Sequence, residues 1–98
     1  MISHPETENA SKILSASGQV NSASPCTISS LTLDGGTAAT GATAILYNSA
    51  DVTGTEKWQL RAPQYGSASI TFVKPIPFST ACYVALTGTG EILSIAYT

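Results

Sequence analysis

The chain has 98 residues, of which four are Lys or Arg, six are Asp or Glu and one is histidine, giving a formal net charge of -2. Charged residues reach 10%, against roughly 25% in an average globular domain, so there is no basic patch to engage nucleic acid and little acid–base chemistry to offer a substrate. A hydrophobic content of 43% argues against disorder, no apolar run approaches the ~18 residues of a membrane-spanning helix, and the length fits one domain with one core.

Residues 1–10 read as a flexible N-terminal arm containing His4-Pro5, Glu6 and Glu8. Ile2 is its apolar residue and the one through which such an arm would contact a neighbouring subunit. The polar N-terminus is no secretory signal, and synthesis in a cytoplasm is expected.

Residues 11–98 read as a single β domain. Helix periodicity is absent, and short period-two segments alternate with Gly, Pro, Asn and Ser clusters. Lys12 to Val20 alternates through Leu14, Ala16, Gly18 and Val20. Cys26 to Leu33 follows Ser24-Pro25, and its apolar phase shifts between Ile28 and Leu31, which predicts a bulge. Asp34-Gly35-Gly36 makes a turn. Thr40 to Tyr47 ends with apolar residues on both faces, and Asn48 to Gly54 is a loop. Thr55 to Arg61 alternates, with Trp58 and Leu60 on one face and Lys57, Gln59 and Arg61 on the other.

Ala62 to Ser67 turns through Pro63 and Gly66. Ser69 to Val73 points Ile70 and Phe72 inward. Pro75-Ile76-Pro77-Phe78 is extended but cannot donate a full ladder, so it belongs at an edge or between sheets. Ala81 to Thr87 carries Cys82, Val84 and Leu86 on one face. Gly88-Thr89-Gly90 is a tight turn, and Glu91 to Tyr97 carries Leu93, Ile95 and Tyr97 on one face. Cys82 to Tyr97 therefore reads as a hairpin. Seven or eight short strands at this spacing predict an all-β, antiparallel β-sandwich or jelly-roll-like barrel.

Chemistry-bearing residues are sparse. His4 is the single histidine and lies in the arm, so a Cys-His pair would need an ordered arm reaching Cys26 or Cys82, and no second base is available to activate a serine. The acids Asp34, Asp51 and Glu56 show no spacing that favours a glycosidase pair or a calcium loop. Gly35-Gly36 and Gly88-Thr89-Gly90 lack the spacing of phosphate loops. Cys26 and Cys82 read as two small buried hydrophobes, with a disulfide between an early and a late strand as the alternative. Neither a cofactor, a metal nor catalysis is expected.

Trp58 reads as core. Tyr65, in Pro63-Gln64-Tyr65-Gly66, reads as an exposed loop aromatic able to anchor a contact or stack on a sugar. Ser, Thr and Ala dominate the outward positions, which predicts bare strand edges covered by partners or by other copies of the chain.

The C-terminal half, roughly Ala42 to Thr98, resembles small virion proteins of tailed bacteriophages. The resemblance is carried by Ala44-Ile45-Leu46-Tyr47-Asn48, Gly54-Thr55-Glu56-Lys57-Trp58-Gln59-Leu60, Ile76-Pro77-Phe78-Ser79-Thr80 and Tyr83-Val84-Ala85-Leu86-Thr87-Gly88-Thr89-Gly90. These are turn and strand patterns, so no functional residue transfers. The resemblance implies a virion location and a structural role, foremost a capsid decoration or cement protein on the major capsid protein. It also implies a homo-oligomer, such as a trimer. The alternative is a head-fibre, neck or tail-fibre component that binds a host receptor or glycan.

Overall fold

The computed structural model describes residues 10–98, so Ile2, His4 and nearly all of the expected arm lie outside the described residues. Eight strands form: β1 (Ala10–Leu14), β2 (Gly18–Gln19), β3 (Cys26–Asp34), β4 (Ala42–Asn48), β5 (Thr55–Ala62), β6 (Ser67–Phe78), β7 (Cys82–Thr87) and β8 (Ile92–Tyr97). They build two antiparallel four-stranded sheets, here sheet A in the order β1-β8-β3-β6 and sheet B in the order β2-β7-β4-β5. Ala10, placed in the arm by its sequence, is the first residue of β1 and pairs with Tyr97.

The pairs β1–β8, β2–β7, β3–β6 and β4–β5 describe one long antiparallel ribbon folded at the β4–β5 turn and rolled up. The rolling adds the pairs β3–β8 and β4–β7. This is the eight-stranded jelly roll, the second of the two architectures the strand spacing allows. Apart from β4–β5, every connection between successive strands passes from one sheet to the other.

Two expectations are corrected by this topology. β7 and β8 are not a hairpin; Gly88-Thr89-Gly90 arches between the sheets, β7 pairing with β2 and β4 and β8 with β1 and β3. Lys12 to Val20 is not one strand. It breaks after Leu14 and supplies β1 to sheet A and β2 to sheet B. Ser17 secures the crossing, its hydroxyl accepting from the Leu86 amide at 2.8 Å.

Alternation places Leu14, Leu93, Leu33 and Ala68 in one inward row of sheet A, next to a row with Ile95, Leu31 and Ile70. Ala44, Leu46, Val84 and Leu86 face them from sheet B. Full burial of each Leu, Ile or Phe stabilises by about 1.5–3 kcal/mol. The sandwich is closed on its β5–β6 side by Trp58 and Phe72, whose rings meet edge-to-face at 4.9 Å. The buried Trp58 indole N–H has no acceptor there.

The predicted bulge lies in β3 between Ile28 and Ser30, opposite residues 72–75 of β6, where Val73 is fully exposed. Pro75 and Pro77 are tolerated because β6 has a sheet neighbour on one side only. A second irregularity, between Leu46 and Tyr47 of β4, leaves Lys57 of β5 unpaired. It brings the Lys57 ammonium to 5.8 Å from the centre of the Phe78 ring, so Lys57 does not share the outward face of Gln59 and Arg61 as its phase suggested.

The edges are not bare. All four cations of the chain stand on edge strands: Lys12 on β1, Lys74 on β6, and Lys57 and Arg61 on β5. The remaining edge, β2, is only two residues long. Lys12 even occupies the inward phase, in register with Ile95. Charges and prolines of this kind oppose edge-to-edge pairing.

Candidate functional site

Three connections meet at one end of the jelly roll: residues 35–41 between β3 and β4, 63–66 between β5 and β6, and 88–91 between β7 and β8. Glycine lets their backbones touch. A Cβ on Gly35 would lie 1.8 Å from the Pro63 carbonyl oxygen, and one on Gly36 2.1 Å from that of Thr89. Main-chain hydrogen bonds lace the three together, Gly35 donating to Gly66 at 2.8 Å, Thr37 to Thr89 at 2.8 Å and Tyr65 to Gly36 at 2.9 Å. The Gln64 amide adds a bond to the Thr37 carbonyl at 2.8 Å.

Tyr65 sits on this platform with its side chain 77% exposed and its backbone left-handed at φ 59°. For a residue with a Cβ that conformation costs about 1–2 kcal/mol. An aromatic ring is thus held in solvent by a rigid and locally strained turn, the arrangement of a contact anchor. Behind the neighbouring turn lies Glu91, buried at 8% exposure, with Oε2 unpartnered.

Asp34 and Asp51 stand at opposite ends of the sandwich. Asp34 stands at the Tyr65 end and accepts from its own turn at Gly36, 3.0 Å away. Asp51 lies in the β4–β5 loop, where the Thr53 hydroxyl and amide hold its carboxyl below the ordinary range. Among the described residues no three His, Cys, Asp or Glu side chains gather as metal ligands, and no helix is long and apolar enough to cross a membrane.

A second cluster was not assigned from the sequence. On the outer face of sheet B, Gln19, Tyr83, Tyr47 and Glu56 form one row across four strands. Two strand steps along lie Thr87, Thr43 and Arg61, with Ala85, Ile45 and Gln59 between. Gln19 is fixed by its amide bond to the Ala50 carbonyl at 3.0 Å. The Gln59 oxygen, in the orientation that satisfies both groups, accepts from Arg61 Nε and Nη2 at 3.1 Å each. Both tyrosines are half-buried. Only the β4–β7 register makes them neighbours.

The outer face of sheet A differs. Ser11, Ala96, Ser30 and Thr71 form one row and Ile13, Ser94, Thr32 and Ser69 the next, with no charge in either. A shallow groove runs over Ser11, Ile13, Ser30, Thr32, Ser94 and Ala96, with Lys12 and Ile95 also in its lining. In comparisons with known proteins, no family model, no curated protein and no solved structure matches the chain.

Proposed function

We propose that the protein is a bacteriophage virion component that acts by contact and not by catalysis: a capsid decoration or cement protein seated on the major capsid protein. The observation that carries this reading is the division of its surface. Every cation guards an edge strand, while two adjoining rows on the outer face of sheet A carry only Ser, Thr, Ala and Ile, with the exposed Asp34 at one end of that face. Those two rows can be covered without stripping water from charges, and guarded edges leave face-on docking as the mode of association. Jelly rolls occur among viral capsid and lectin domains, an analogy at the level of fold. Many weak contacts of this kind sum over a symmetric shell.

Quantitative mass spectrometry of particles of the virus that encodes the chain tests the reading. A copy number comparable to that of the shell protein supports it. A handful of copies places the protein at the neck, tail or fibre, and absence from the particle overturns the virion assignment. Tyr65 is the expected anchor at the loop end. Tyr65→Gly removes the ring and relieves a left-handed strain of about 1–2 kcal/mol, partly offset by about 0.5–1 kcal/mol of added unfolded-state entropy. Thermal stability should therefore hold or rise slightly while particle association falls at least tenfold. Unchanged association would remove Tyr65 from the interface.

The Tyr47–Tyr83 row favours a second reading, a glycan-binding tip. Adjacent rings flanked by amide and carboxylate groups, with a guanidinium two strand steps along, match the apolar faces and hydroxyls of a sugar chain. Glycan-array binding that is lost in Tyr83→Ala at retained secondary structure would select this reading. Binding to no glycan would leave the contact function alone.

A further inference from the structure

We infer that Cys26 and Cys82 form an oxidisable pair, held by the fold to close as a disulfide between the two sheets. Cys26 is the first residue of β3 in sheet A, and Cys82 is the first residue of β7 in sheet B. Both are free thiols. Both belong to the same core cluster, at 6% and 0% exposure; Cys26 is in register with Phe78, four residues before Cys82, and each thiol lies close enough to perturb the other. Buried thiols brought together from residues so distant in sequence are what an inter-sheet disulfide requires of its reduced form.

Other roles for the pair are weaker. Two sulfurs with no third ligand do not make a zinc site. A nucleophile needs a thiolate, and here burial pushes both thiols up, Cys82 to about 12 with the neighbouring Cys26 adding to it. Oxidation remains. With a glutathione-type disulfide as oxidant, one cysteine thiolate attacks a glutathione sulfur and releases one glutathione. The second cysteine then attacks the mixed disulfide at the protein sulfur and releases the other. One Sγ–Sγ bond forms, two S–H bonds are lost, and the oxidant takes up both electrons and both protons as two thiols.

The packed core has no room for the mixed disulfide. Exchange therefore requires an open or unfolded chain, and the redox state is set when the protein folds or transiently opens. Folding in a reducing cytosol keeps the dithiol, and an oxidising medium converts it slowly and then resists its reduction.

The test uses the full chain, unfolded in denaturant and refolded in mixed oxidised and reduced glutathione or in dithiothreitol. The expected product of the first refolding is a monomer lighter by two hydrogen atoms, with one cross-linked peptide pair joining Cys26 to Cys82. Its Tm should exceed that of the dithiol form by on the order of 10 °C, because the bridge closes a long loop in the unfolded chain. The double variant Cys26→Ala/Cys82→Ala, compared with itself, should show no dependence on the redox buffer. Three results overturn the inference: a glutathione-refolded monomer that retains two titratable thiols on denaturation, cysteines linked only between chains, or a disulfide form that melts below the dithiol form.

Discussion

Phe78→Ala is expected to be the most damaging of the single core truncations. Phe78 is the largest of the fully buried side chains, at 1% exposure. It ends β6 in register with Cys26 and receives the Lys57 ammonium over its ring. Removing a buried Phe ring costs about 3–5 kcal/mol, and a domain of this kind has about 5–15 kcal/mol in total. The melting temperature should fall by roughly 15–30 °C, and the urea midpoint should drop without a change in slope. Phe78→Leu, which keeps most of the volume, should recover the greater part. A Phe78→Ala variant within a few degrees of the parent would mean that this end of the core is not packed as described.

The second large effect is expected at Gly36, and Gly90 supplies its control. Both are left-handed, at φ 66° and φ 70°. A Cβ on Gly90 meets nothing within 4 Å, whereas one on Gly36 falls 2.1 Å from the Thr89 carbonyl oxygen and 2.9 Å from the Glu91 amide. Gly90→Ala should therefore cost only the conformational term of about 1–2 kcal/mol. Gly36→Ala adds a backbone clash worth about 1–3 kcal/mol more, and it separates the strands of hydrogen bonding that hold Tyr65. Chemical denaturation measures the difference, and amide exchange at Tyr65 should quicken only in the Gly36 variant. Equal costs at the two positions would show that the three loops are not tightly laced.

The local structure was legible because each strand alternates. The Ile28-to-Leu31 phase shift announced the bulge, the prolines announced an edge, and the cysteines read as core. Pairing over distance was not legible. Gly88-Thr89-Gly90 is as good a turn for an arch between sheets as for a hairpin, and Leu86 and Leu93 face inward in either case. Residues 12–20 alternate without interruption, so nothing local marks the crossing at Ser17. Lys57 changed sides through a bulge that its own strand does not signal. Tyr65 was identified as exposed from its turn alone. Tyr47 and Tyr83 gained meaning only from a register between strands that are far apart in sequence.

The rolled ribbon also sets an order of events. β1 takes its only sheet neighbour from β8, and β2 takes its only one from β7. During synthesis the first strands must wait, unpaired, until the last ones leave the ribosome, while β4–β5 is the one pair that can form locally. Folding of this chain is therefore expected to be slow for its size and to wait until β7 and β8 have emerged. A ribosome stalled before Ile92 would display an unsheltered half-sheet whose Leu31, Leu33 and Ile28 have nothing to rest against, a species that invites aggregation or a chaperone.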